Sequence, residues 1–150
     1  MVAYPHGGYW NKTVGTHNME RLFFTLGAWL AAISVGIGAF GAHGAKHFMS
    51  ADQLSWVEKG ARYQMYHALA LFAVAWGLTY WVNQTKLLKA SGWLLVAGTL
   101  FFSGSLYIMA LTDIGLGYIT PLGGVAYVLG WIGLAEAARR GQSEIVDSGD

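Results

Sequence analysis

Charged side chains are missing from four successive stretches of this chain, 22–42, 64–85, 90–112 and 114–135, and this restricts the fold more than any motif does. A helix rises 1.5 Å per residue, so about twenty residues span roughly 30 Å, the thickness of bilayer hydrocarbon. Only 11% of residues are charged and 55% are hydrophobic, whereas about a quarter of the residues in soluble domains are charged. The expected fold is an all-α membrane protein, with four transmembrane helices in an up-down bundle. One domain, 19–140, would carry them between a flexible tail at 1–18 and a polar tail at 141–150.

The same numbers exclude other classes. A net charge of +1 leaves no broad basic face for a phosphate backbone, so nucleic acid is set aside. Without cysteine there are no disulfides and no cysteine-held iron–sulfur clusters. No metal and no cofactor is expected, with a haem or a quinone as the alternative. The run Gly36-Ile37-Gly38-Ala39-Phe40-Gly41 matches a dinucleotide-binding pattern, but no strand precedes it and no βαβ unit surrounds it. A secretory signal would have a shorter apolar region behind a more basic start, so the first helix is expected to be retained.

Between the first two spans, Ser50 followed by Gln53 reads as a capping box. It predicts a short interfacial helix from Ala51, carrying Leu54, Trp56 and Val57 towards headgroups and ending near Gly60. In the first span Ala28, Ala32 and Gly36 form one small-residue row and Ser34, Gly38 and Ala42 another, so Gly36 and Gly38 are expected to lie against a neighbouring helix. Basic residues set the orientation. Lys12, Arg21, Lys86, Lys89, Arg139 and Arg140 fall on one side, against Lys46, Lys59 and Arg62 on the other, which predicts both termini in the cytoplasm. The expected location is the bacterial inner membrane.

Alternating spans bring the end of helix 1, the start of helix 2, the end of helix 3 and the start of helix 4 to one side of the membrane. The polar residues fall in that half: His43, Tyr63, Gln64, His67, Ser103, Ser105, Tyr107, Asp113, Tyr118 and Thr120. Tyr63, Gln64 and His67 share a helical face, as do Ser103 and Tyr107. Thr120-Pro121-Leu122-Gly123-Gly124 predicts a kink or a late helix start, tolerated in a membrane only where other groups satisfy the freed backbone.

Two roles suit such a cluster. The groups could bond one another and fix helix packing, at roughly 0.6 kcal/mol per interhelical bond. Alternatively, His43 and His67 could form a ligand pair, a proton relay or a site for a quinone or lipid head, because imidazole titrates near neutral pH and binds metals. No nucleophile elbow, zinc-protease motif or pair of acids is present.

Gly38-Ala39-Phe40-Gly41-Ala42-His43-Gly44, Tyr63-Gln64-Met65-Tyr66-His67-Ala68, the run 102–107 and the run 120–124 occur in the order of the signature blocks of a known family. From about Met19 to Arg140 the chain resembles the small integral membrane proteins catalogued as domain of unknown function 423. The resemblance implies a four-helix membrane protein and no particular activity. The reading is a structural or accessory component, in contact with membrane lipids and packing with a larger membrane complex; the alternative is a small enzyme or carrier using His43 and His67.

Overall fold

The computed structural model describes residues 10–112 and 114–147, with side chains over 18–112 and 114–141. Expectations resting on residues 1–9, Asp113 and residues 148–150 lie outside them. The described chain is all helical. Helix α1 (Trp10–Ala39) runs through a π turn at Phe40–Gly44 into a 3₁₀ turn at Ala45–His47. Then follow α2 (Ala51–Tyr80), a 3₁₀ turn at Val82–Gln84, α3 (Thr85–Gly98), a second π turn at Thr99–Ser103, α4 (Gly104–Thr112) and α5 (Ile119–Asp147).

Among the described residues, three segments are long and apolar enough to cross a membrane: Asn18–His47, Val82–Thr112 and Ile119–Gly141. Helix α2 is as long as α1 but differs in composition. Its first turns carry Asp52, Glu58, Lys59 and Arg62, and only from Tyr63 onward is it free of charge.

The capping box forms as the sequence predicts: Gln53 N donates to Ser50 Oγ at 3.2 Å, and Ser50 N donates to Gln53 Oε1 at 2.9 Å. The separate short helix does not. Helix α2 continues through Gly60, because this glycine is not a stop signal: a Cβ there would lie 2.5 Å from the Tyr107 ring. Gly60 is a seat for that ring on α4, and Val57, expected at the headgroups, is buried.

Helices also run into both expected tails. Helix α1 begins at Trp10 within the predicted tail, and α5 reaches Asp147 within the other. Once a helix is nucleated, each further residue adds a hydrogen bond at little cost.

Packing is serpentine: α1 lies on α2, α2 on the rod formed by α3 and α4, and that rod on α5. Phe23, Leu71, Val74, Leu78, Leu88, Leu95 and Tyr127 join all four layers in one buried cluster. Phe23 carries α1 into it, because Gly92 on α3 leaves room for the ring: a Cβ there would come within 2.5 Å of Phe23. The seam of α1 is Phe23, Gly27 and Ser34, and Ala45 in the following 3₁₀ turn continues it, all buried. At Gly27 a Cβ would come within 2.8 Å of the Ala68 carbonyl oxygen on α2, so it is the close-approach glycine of this pair.

The expectation for Gly36 is overturned. A Cβ on Gly36 would meet nothing within 4 Å, and its whole row, Ala28, Ala32 and Gly36, faces outward. Gly38, in the row of Ser34, does turn towards α2, but loosely: the nearest atom to its Cβ would be Ala61 Cβ at 4.0 Å. Phase explains the difference. With 3.6 residues per turn, the row containing Ser34 meets α2 and the other faces away.

Candidate functional site

Gln64 is the hub of the polar half. It is buried on α2, its Nε2 donates to the Leu30 carbonyl of α1 at 2.8 Å, and its Oε1 accepts from the Tyr107 hydroxyl of α4 at 3.0 Å. One amide therefore ties three helices together, and Tyr107 reaches it because Gly60, one turn earlier on α2, has no side chain. Ser34 adds a second α1–α2 tie by donating to the Ala61 carbonyl at 2.7 Å.

A second group forms around the π turn at Thr99–Ser103, where the regular backbone ladder is interrupted. Ser105 Oγ lies 2.9 Å from the Phe102 carbonyl and 2.7 Å from Thr120 Oγ1. A carbonyl only accepts, so Ser105 donates to Phe102 and Thr120 donates to Ser105. Thr120 thus fastens the start of α5 to the rod. Pro121 occupies the first turn of α5, where a missing backbone N–H is tolerated. Gly123 lets the helix approach: a Cβ there would collide with the backbone of Phe102. Nearby, Tyr127 donates to Thr99 Oγ1 at 3.3 Å, and Thr99 donates to the Leu95 carbonyl at 3.0 Å. Ser103 Oγ is buried beside the Tyr127 hydroxyl with no hydrogen bond of good geometry.

His67 stands apart from both groups. Its Nδ1 lies 2.6 Å from the Tyr63 carbonyl one turn back, so Nδ1 carries the proton and, in the neutral ring, Nε2 is an acceptor. Its face lies on Tyr127, with centroids 3.3 Å apart and planes 7° from parallel, and the Trp131 ring lies 6.3 Å away at a steep angle. His67 as a residue is only 6% exposed, and Nε2 has no hydrogen-bond partner among the described residues. It lines a recess of about 560 Å³ between α2, the second π turn and α5, walled by Tyr63, Phe102, Pro121, Val125 and Tyr127.

His43 is not in this group. It is exposed in the first π turn, with Nδ1 3.2 Å from the Ala39 carbonyl of its own helix, and it does not line the recess. Tyr63 is 40% exposed and packs on Phe102 at 4.7 Å, while Tyr118 is 93% exposed. Among the described residues, no three His, Asp or Glu side chains converge as a metal-binding set. Sequence reasoning missed Tyr127, Thr99 and Phe102, and did not assign Ser34 to the polar cluster. Tyr127 had one usable signal: it is a phenol in the middle of an apolar run.

The family model described as Protein of unknown function (DUF423) matches residues 37–124. A UPF0382 membrane protein of Staphylococcus saprophyticus is 49% identical over 75% of this chain and 92% of its own length. The UPF0382 membrane protein YwdK of Bacillus subtilis is 46% identical over 79% and 96%. A UPF0382 membrane protein of Haemophilus influenzae is 40% identical over 83% and 99%. No solved structure matches the chain.

Proposed function

The chain belongs to the DUF423 family of membrane proteins of unknown function, and from that premise we propose that it is a structural or accessory component of the membrane, built of four spans. Helix α2 is the fourth span, crossing with its charge-free part from Tyr63 while its charged first turns lie at the headgroups. The observation that carries the structural reading is Gln64, whose buried amide donates to the Leu30 carbonyl of α1 and accepts from the Tyr107 hydroxyl of α4. Gln64, Ser105 and Thr120 bond helices to one another, as interhelical polar groups in membranes do. Such a bundle serves by its outer surface, packing against lipids and against a larger membrane complex in the bacterial inner membrane.

The basic residues support an orientation with both termini in the cytoplasm. Phosphatase and fluorescent-protein fusions at the C-terminus are expected to report a cytoplasmic end; an external C-terminus would reverse the topology.

A second reading rests on His67, which lines an apolar, aromatic recess and whose Nε2 has no hydrogen-bond partner among the described residues. A quinone, lipid or haem carrier would use it. The structural reading predicts that His67→Gln and His67→Leu each cost about 1 kcal/mol, the worth of the lost stacking on Tyr127. Neither strands a backbone group, since the Tyr63 carbonyl lies inside the helical ladder. Purification in mild detergent, followed by extraction and mass spectrometry, decides between them. A quinone or chromophore retained by the wild type and absent from His67→Gln, at a similar melting temperature, would establish the carrier reading.

A further inference from the structure

A second cleft of about 560 Å³ opens between the C-terminal half of α1 and the N-terminal half of α2. Its walls are largely apolar, among them Gly38, Ala42, Leu54 and Met65, and its charged rim holds Lys46, Glu58 and Arg62. We propose that this cleft holds one acyl chain of an anionic phospholipid, with the phosphate on Lys46. This rests on α2 spanning the membrane, which phosphatase fusions placed before and after α2, at Met49 and Asn83, test separately by reporting opposite sides.

Charge selects the head. Arg62 and Glu58 form an ion pair with each other, so they nearly cancel, whereas Lys46 has no ion pair among the described residues. The rim therefore carries one uncompensated positive charge. Reach selects the chain: from Lys46 to Ser34, the deepest residue of the α1 wall, a helical rise of 1.5 Å per residue gives roughly 18 Å, close to the ~15 Å of one leaflet. Beyond the Tyr66 hydroxyl the walls offer little hydrogen bonding, because Ser34 Oγ is already committed to the Ala61 carbonyl. That surface suits an alkyl chain and not a sugar or a nucleotide. The volume lies within the roughly 300–1,000 Å³ usual for small-molecule sites.

The test is native mass spectrometry of the full chain in detergent, titrated in parallel with phosphatidylglycerol and with phosphatidylcholine of identical acyl chains. The wild type is expected to retain one phosphatidylglycerol in preference to phosphatidylcholine. Lys46→Gln, at an exposed position, should reduce that preference about fivefold, the worth of one basic residue at an anionic surface. Gly38→Leu should abolish retention of both lipids by filling the cleft, with its melting temperature kept because a Cβ there has room. Equal retention of the two lipids by the wild type, no retention at all, or retention unchanged in both variants would overturn the proposal.

Discussion

Gly98→Leu is expected to destabilise the protein by about 3 kcal/mol, the upper end of overpacking, and to lower its melting temperature in detergent by roughly 6–12 °C. A Cβ at Gly98 would come within 2.4 Å of the Tyr127 ring, and Tyr127 cannot retreat: His67 covers one face at 3.3 Å and Phe102 lies 5.6 Å away. The same substitution at Gly36 should change stability by no more than about 0.5 kcal/mol, since a side chain there points into open space. The pair separates geometry from glycine chemistry, because both residues are helical glycines in apolar runs. Similar losses at the two positions, measured by thermal unfolding, would mean that Tyr127 does not occupy the Gly98 seat.

That contrast marks where the sequence is informative. Runs without charge follow directly from composition, because hydrocarbon excludes charge regardless of which helices touch. The half of the bundle that gathers the polar residues follows from alternation of direction alone. Which face of each helix meets its neighbour depends on helical phase and on the rotation of the partner, and one sequence holds little of either. Hence Ala28, Ala32 and Gly36 looked equivalent to Ser34, Gly38 and Ala42, although only the latter row turns towards α2. Gly60 resembled a helix stop because local propensity disfavours glycine inside helices, whereas its reason is the Tyr107 ring contributed by a distant helix. His43 and His67 looked like a pair because both fall in the polar half; the π turn leaves His43 outside the bundle, and His67 turns to Tyr127, a residue whose run of neighbours offers no polar pattern.

The largest polar effect is expected at Gln64. Gln64→Leu removes both interhelical bonds and leaves the Tyr107 hydroxyl without its acceptor, while the Leu30 carbonyl keeps its place in the α1 ladder. Interhelical bonds in membranes average roughly 0.6 kcal/mol and reach about 1.7, so the expected loss is about 2 kcal/mol. Tyr107→Phe should cost about 1 kcal/mol, since the ring still covers Gly60 and only the hydroxyl is gone. If the two side chains meet as the 3.0 Å contact indicates, the losses will not add. With Gln64 already replaced, removing the hydroxyl costs nothing further, or relieves an unpaired group. A double-mutant cycle of Gln64→Leu and Tyr107→Phe, followed by unfolding in detergent, should therefore give a coupling of at least about 0.5 kcal/mol. Strict additivity would break the link between α2 and α4, and with it the claim that the polar half of this protein is spent on holding its helices together.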